Sequence, residues 1–317
     1  MPTVHGNLLN VFLTAYYQFI LGFSIIGGIS ASILFTTSLA TIGQWFTGHR
    51  SIATALATTA GPIGGIVFPI MFQKLAPTIG FGWTLRIFGF LSFLLTSIAI
   101  LLMRTRVLPT RQLRWKTNFS AFREPRYTMT VLGMFALESA VLIPPTYLTS
   151  YCLAYGIPYS LSYNLLAYLN AASIVGRILP GFLSDRYGHF NVMVLSSLPC
   201  AIVTLALWLK ASNTAAIVAF AILFGLFSGT THSLTPVCIA QLSGRQDFAT
   251  RFGTAYIVIS SAYLISLPLG GALLRNVHGK QDFSALIWFS GVVYLAGSLA
   301  FTSARVLGTG FKVWRIY

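Results

Sequence analysis

Three polar residues stand at helical spacing inside one apolar stretch of the 317-residue chain, namely Asn170, Ser173 and Arg177. Positions seven and four residues before the arginine share its face of a helix, so the three side chains should line one surface. The planar guanidinium fits a carboxylate with two parallel hydrogen bonds. The pattern predicts a substrate-binding site for an organic anion. An arginine that extends its head group to the nearest water is the simpler alternative.

Two other ionisable residues stand in apolar surroundings, Glu138 in VLGMFALESAVLIPPTYL and His232 in SGTTHSLTP. A carboxyl in such a place suits proton carriage, so Glu138 is a candidate for proton coupling or a permanently paired structural residue. We expect it to pair with Arg177 when no anion is bound, because each charge is unfavourable alone. The polar run at His232 predicts a break in its helix before Pro236. His232 lines the same site or is a packing histidine.

The composition predicts the elements that must hold these residues. The chain is 56% hydrophobic and 8% charged, with a mean hydropathy of +0.77, whereas soluble domains carry about 25% charged residues. Apolar runs of about 20 residues, long enough to cross a bilayer as a helix, recur throughout. We therefore predict an all-α polytopic membrane protein with about nine spans: 16–45, 51–75, 82–103, 127–152, 162–184, 190–209, 214–241, 250–273 and 284–306.

The basic residues define the predicted topology and domains. A polar linker at 104–126 separates a partial N-terminal bundle of three spans (1–103) from a six-span bundle (127–317). With this linker in the cytoplasm, 14 Lys and Arg fall on the cytoplasmic side and 5 on the other, at 74, 86, 210, 275 and 280. The positive-inside rule accounts for this asymmetry. The net charge of +15 therefore does not indicate a nucleic-acid partner.

Other chemistry has little support in the sequence. The three cysteines lack metal-ligand spacing, and no phosphate-binding or dinucleotide fingerprint is present. The glycines in GPIGGIVFP fit close helix packing. A membrane enzyme would need a clustered polar site, and five acidic residues are scattered over the chain. We expect no enzyme activity, no cofactor and no metal.

The segment GFLSDRYGH at 181–189 carries the pattern G-x-x-x-D-R-x-G between two spans. Gly181 permits close helix approach, and Gly188 allows a tight turn. Asp185, followed by Arg186, suits a cation or a helix N-terminus at a gate. This pattern resembles the loop signature of the major facilitator superfamily, a bundle of membrane helices.

Longer segments narrow the resemblance. YNLLAYLNAASIVGRILPGFLSDRYGHFNVMV, FAILFGLFSGTTHSLTPVCIAQLSG and the region from QWFTGHRS to RIFGF resemble fungal monocarboxylate-porter-like transporters. The resemblance implies that the nine spans match spans four to twelve of a twelve-span fold, with the first three largely absent. It also implies that Arg177 corresponds to a substrate-anion arginine. Animal members carry an aspartate one turn earlier, where this chain has Ser173.

The resemblance implies secondary active transport of a small organic anion or carboxylated metabolite, with a proton as a candidate coupling ion. Two alternatives stay open, namely efflux of a fungal secondary metabolite and a shortened remnant that does not transport. The plasma membrane is the expected location, in preference to an internal membrane.

Overall fold

The computed structural model describes residues 17, 20–46, 49–104, 119–211, 213–243, 247–277 and 280–310. Within these residues, nine helical segments are long and apolar enough to cross a membrane, which confirms the predicted all-α multi-pass architecture. The segments are Ile20–Gly43, Arg50–Ile79, Phe81–Leu102, Pro125–Ala154, Tyr159–Tyr187, His189–Trp208, Thr214–Leu242, Phe248–Leu273 and Ser284–Thr309. Most of the predicted linker, 105–118, lies outside the described residues.

The described residues form eleven α-helices and one hairpin. The first four helices are α1 Gly27–Trp45, α2 Arg50–Thr58, α3 Ala60–Ile79 and α4 Phe81–Leu102. The next four are α5 Pro125–Val141, α6 Ile143–Ala154, α7 Tyr159–Tyr187 and α8 His189–Ile202. The last three are α9 Thr214–Leu242, α10 Phe248–Leu273 and α11 Ser284–Thr309. Between α10 and α11, β1 (Arg275–Val277) pairs antiparallel with β2 (Lys280–Asp282).

Four of the described spans contain breaks or distortions of regular helix. The span Ile20–Gly43 begins with a π-helical segment, Ile20–Ile26, and the span Arg50–Ile79 divides into α2 and α3 at Thr59. The span Pro125–Ala154 divides into α5 and α6 at Leu142, where two prolines follow, because proline supplies no N–H and crowds the preceding turn. A π-helical segment, Val203–Trp208, continues α8 to the end of its span.

The break predicted in the polar run before Pro236 is wrong, because α9 continues from Thr214 to Leu242. Hydroxyl groups in the run donate to carbonyls of the same helix, as Ser233 does to Thr230 at 3.2 Å and Thr235 to Thr231 at 2.5 Å. These bonds satisfy the polar side chains locally, so the helix does not have to open. Only the carbonyl of His232 loses its usual donor, because Pro236 has no N–H.

Contacts divide the chain into two compact units. The first unit comprises residues 1–47 and 66–113. In it, Phe68 of α3 meets Phe88 of α4 edge-on, with ring centroids 5.1 Å apart. The indole of Trp45 donates a 2.9 Å hydrogen bond to the carbonyl of Arg104.

The second unit comprises residues 48–65 and 114–317 and contains all the candidate site residues. Its most extensive contacts join α7 to α9 and α5 to α11, and α2 packs on α7. The buried aromatic residues Tyr127, Trp208, Phe220, Phe224, Tyr294 and Phe301 fill its core. Contacts thus group residues 48–65 with the C-terminal helices, whereas the sequence assigned them to the N-terminal bundle.

Candidate functional site

The helix α7 presents Asn170, Ser173 and Arg177 on one face, as their spacing requires. Ser173 is 5% exposed and Arg177 is 9% exposed. The amide of Asn170 donates to the carbonyl of Leu166 at 2.9 Å and approaches the Gly65 carbonyl at 3.5 Å. A Cβ at Gly65 would lie 2.9 Å from the Asn170 amide. The small residue at 65 therefore lets α3 approach the polar face of α7.

The Arg177 guanidinium lies against the end of α2. Its Nη1 donates a hydrogen bond to the carbonyl of Thr58, and it lies beside Gly61, where a Cβ would sit 3.5 Å from Nη1. Its Nε is buried and has no hydrogen-bond partner among the described residues. A guanidinium has five donors, so this site keeps donor capacity for an acceptor that is not part of the fold.

Close packing between α7 and α9 fixes the position of Arg177. A Cβ at Gly176 would lie 1.9 Å from the carbonyl oxygen of Leu226. The hydroxyl of Thr230 donates to the Gly176 carbonyl at 3.2 Å. Gly176, which makes both contacts, immediately precedes Arg177. The backbone that carries the guanidinium is therefore held against α9.

Glu138 belongs to a buried polar cluster drawn from three helices. It lies on α5 and is 2% exposed. The phenol of Tyr263 on α10 donates to its Oε2 at 2.7 Å, and Nδ1 of His232 on α9 lies 3.2 Å from the same oxygen. The His232 side chain is 32% exposed. The cluster therefore joins a buried carboxyl to an imidazole that is accessible at its other edge.

The expected ion pair between Glu138 and Arg177 is absent from the described residues, in which Glu138 meets His232 and Arg177 meets the Thr58 carbonyl. The expectation used only the depth of the two residues in consecutive spans. Depth does not fix the rotation of each helix, and α5 turns Glu138 toward α9 and α10. The hydroxyl of Ser266, one turn after Tyr263, holds this arrangement by donating to the Ser139 carbonyl.

The signature segment 181–189, which consists of the end of α7, Gly188 and the first residue of α8, meets the beginning of α2. The carboxylate of Asp185 accepts from the backbone N–H groups of Ser51 at 3.2 Å and Ile52 at 3.3 Å. These amides belong to the first turn of α2, which has no helical partners for them and carries a partial positive charge. The Ser51 hydroxyl also hydrogen-bonds Nδ1 of His189 at 3.0 Å.

The two glycines of the signature segment are required for different reasons, Gly181 for close helix packing and Gly188 for its backbone conformation. A Cβ at Gly181 would lie 2.5 Å from the Cβ of Ala55 on α2, so only glycine fits this crossing without movement. Gly188 has a φ of +91° between α7 and α8, which side chains disfavour. Arg186 is exposed and lines a groove beside α8 and α11. It therefore points away from the contact that Asp185 makes.

Sequence reasoning did not identify Tyr263 or the Thr58 carbonyl as partners in these sites. An aromatic residue in SSAYLIS has no signal that separates it from ordinary span residues. A backbone carbonyl has no sequence signal at all. The first turn of α2, RSIAT, begins just after an apparent loop, and its free amides could have suggested a partner for Asp185.

No group of three His, Cys, Asp or Glu residues close enough to hold a metal occurs in the part of the chain that the structure describes. Cys152, Cys200 and Cys238 are all free and buried.

Membrane-spanning helices, a polar face buried within them and a G-x-x-x-D-R-x-G loop define a class of membrane transport proteins. A sequence model of the Major Facilitator Superfamily matches residues 6–208 and 165–308. The chain belongs to this superfamily, which confirms the resemblance noted from its motifs.

Fungal relatives match nearly all of the chain. It is 36% identical to the MFS transporter asaE of Aspergillus flavus, over 98% of this chain and 70% of the relative. It is 33% identical to the aspyridones efflux protein apdF of Emericella nidulans, over 93% of this chain and 61% of that protein. It is 32% identical to the riboflavin transporter MCH5 of Saccharomyces cerevisiae, over 94% and 62% of the two chains.

Solved structures share the fold at low sequence identity. The transporter FucP in its outward conformation matches with a TM-score of 0.72 at 15% identity, over 96% of this chain and 80% of that one. The human organic anion transporter MFSD10 matches with a TM-score of 0.69 at 14% identity, over 95% and 75%. At these identities, the similarity concerns the fold alone.

Proposed function

We propose that this chain is a secondary active transporter, not an enzyme, and that it moves a small organic anion or carboxylated metabolite. The observation that carries the proposal is the buried guanidinium of Arg177, whose Nε has no acceptor among the described residues. An arginine within a span is unfavourable by at least about 2.5 kcal/mol unless it is paired or hydrated. A site that binds an anion supplies the missing partner.

Binding exchanges one acceptor for another. In the structure, Nη1 of Arg177 donates a hydrogen bond to the Thr58 carbonyl. A cargo carboxylate is a stronger acceptor because it is charged, and it can take two donors of the planar fork. Asn170 and Ser173 stand on the same face of α7 and provide further polar contacts for the cargo. Cargo binding would then release Arg177 from the end of α2.

The cluster of Glu138, His232 and Tyr263 supports a proton as the coupling ion. Its carboxyl is buried, whereas the His232 side chain is 32% exposed. The contact between the two groups means that a proton gained or lost by the cluster changes the charge balance at Glu138. Symport of the proton with the anion, across the plasma membrane, is the form of coupling that we propose.

Efflux of a fungal secondary metabolite is a second candidate. It is favoured by the relatives, among which are the aspyridones efflux protein and the agnestins efflux protein AgnL12 of Paecilomyces divaricatus. Both candidates use a buried anion site if the metabolite carries a carboxylate. They differ in cargo size and in direction.

The test is uptake of a panel of radiolabelled monocarboxylates, from lactate to phenylacetate, into proteoliposomes that contain the chain. Arg177→Lys keeps the charge but loses the planar fork, so uptake should fall at least about tenfold while membrane insertion persists. Arg86→Lys is the matched control, because that guanidinium lies 4.6 Å from the Trp83 ring in the first unit. Uptake of no panel member, or full uptake by Arg177→Leu, would overturn the proposal.

A further inference from the structure

A groove on the outer surface of the second unit has a charged end and an apolar wall. Its volume is about 880 Å³, and it is lined by the end of α7, the first part of α8 and the last part of α11. Arg186, Arg305 and Asn191 stand at one end, and Val194, Leu195 and Leu198 follow along α8. No acidic side chain is among the described residues that line it.

The position of the groove places it at the surface that lipid covers. Leu195 is 69% exposed, although it lies within the candidate span His189–Trp208. The wall extends from Asn191 to Pro199, which is about 12 Å along a helix at 1.5 Å per residue. One leaflet contributes half of a hydrocarbon core of about 30 Å. The apolar wall therefore fits the upper part of an acyl chain.

The charged end stands where a head group would lie. Arg186 is the second-last residue of α7, Arg305 precedes the end of α11 by one turn, and Asn191 is in the first turn of α8. Three such helix ends meet at one side of the membrane. The Nε of Arg305 donates to Oδ1 of Asn191, which orients its guanidinium beside α8. Arg126 lies next to the same two residues and adds positive charge.

The neighbouring acidic residue does not neutralise the positive charge at this end of the groove. Asp185 precedes Arg186 in the chain, but its carboxylate accepts from the amides of α2. The signature segment therefore separates its two charged residues, with Asp185 bonded to α2 and Arg186 exposed in the groove. Arg186 takes no part in the contact with α2 or in the site around Arg177.

We propose that this groove binds an anionic glycerophospholipid of the leaflet at the Arg186 end, in preference to a zwitterionic one. The two guanidiniums contact the phosphate and the second negative group of the head, and one acyl chain follows the wall of α8. Basic clusters between helix ends attract anionic head groups by about 1 kcal/mol for each Arg or Lys. This inference is independent of the cargo and of proton coupling.

The experiment is native mass spectrometry of the purified chain with equimolar phosphatidylserine and phosphatidylcholine of identical acyl chains. We expect bound phosphatidylserine to exceed phosphatidylcholine by about 25-fold, because each of the two guanidiniums contributes about fivefold. Arg186→Gln should reduce this ratio by about fivefold, and adding Arg305→Gln should bring it near one. Arg104→Gln, which removes an exposed guanidinium elsewhere, should leave it unchanged. Equal binding to the wild type, or an unchanged ratio in Arg186→Gln, would overturn the proposal.

Two further arms test the lipid itself as the occupant. Leu195→Trp should reduce retention of both lipids, because it fills the acyl wall, while the head-group ratio persists. Millimolar inorganic phosphate should not displace phosphatidylserine. Displacement by phosphate, or retention that is indifferent to Leu195→Trp, would indicate a phosphate site in place of a lipid site and would contradict the proposal.

Discussion

Two buried ionisable side chains of the second unit, Arg177 and Glu138, have specific neighbours that determine their chemistry. Arg177 meets a backbone carbonyl, and Glu138 meets an imidazole and a phenol. The arginine therefore keeps donors for an incoming anion. The carboxyl is already satisfied, and a change in its partner His232 alters its charge balance.

Glu138 and His232 should be energetically coupled. Glu138→Gln removes the charge that faces His232, and His232→Gln leaves the buried carboxyl with one partner fewer, so each variant should destabilise the protein. The double variant should be less destabilised than the sum by about 1 kcal/mol or more. The measurement is a double-mutant cycle of thermal stability in detergent, with Ser260→Ala on the exposed face of α10 as control. Additive effects would show that the 3.2 Å contact has no energetic role.

The rarity of charge within apolar runs made Arg177, Glu138 and His232 visible in the sequence. Their partners were not visible, because pairing depends on helix rotation and on which helices are adjacent. Glu138 and Arg177 lie in consecutive spans, yet α5 directs the carboxyl toward α9 and α10. A depth argument along one axis cannot supply that information.

The crossing of α2 and α7 depends on the absence of a side chain at Gly181. Adding a Cβ 2.5 Å from that of Ala55 requires the helices to separate, and such overpacking costs about 1–3 kcal/mol. Gly181→Ala should therefore raise the reaction rate of a cysteine at Thr54, which is buried in α2, with a permeant maleimide by about tenfold.

A matched variant tests whether this effect is local to the crossing. A Cβ at Gly253 meets nothing within 4 Å, so Gly253→Ala should leave the labelling rate at position 54 unchanged. The three native cysteines are buried and give little background. Equal rates in Gly181→Ala and the parent would mean that α2 and α7 do not need this close contact.

The beginnings of α5 and α10 are joined by an ion pair that should respond to acid. The Arg251 guanidinium meets both oxygens of Glu124, at 2.8 Å and 2.5 Å, and holds the pKa of that carboxyl below its usual range. A lowered pKa stabilises the folded state above the unfolded value of about 4.3, and this stabilisation is lost as the pH falls below it.

Glu124 is about half exposed, so the effect of the pair is small. The wild type should melt about 1–3 °C above Glu124→Gln at pH 7, and this difference should shrink as the pH falls below about 4.3. High salt should reduce it at neutral pH. A difference that stays constant from pH 7 to pH 3 would contradict the assignment.

The number and type of the spans could be predicted from the sequence, because apolar length is a local property of the chain. The division of the span Pro125–Ala154 at Leu142 had a local signal too, in Pro144 and Pro145. The grouping of residues 48–65 with the C-terminal helices had no local signal in the sequence. It follows from tertiary contacts, such as Ala55 against Gly181, that no local pattern records.

The charge distribution predicts the orientation of the whole molecule in the membrane. Arg123 should be cytoplasmic and Lys210 should be on the opposite side, and both side chains are exposed. An impermeant maleimide added to intact cells should label Lys210→Cys and spare Arg123→Cys until the membrane is permeabilised. The reverse pattern would place the Asp185 loop on the outer side.

The central claim is that Arg177 recognises the negative charge of the cargo, and the most direct measurement is discrimination between a carboxylate and its neutral amide. Binding of phenylacetate and phenylacetamide to the purified chain is measured by calorimetry for the wild type and Arg177→Gln. A hydrogen bond to a charged group contributes about 1.5–3 kcal/mol, so the wild type should prefer the acid by about tenfold or more. Arg177→Gln should bind both alike. A preference for the acid that persists in Arg177→Gln, or that the wild type lacks, would contradict the account.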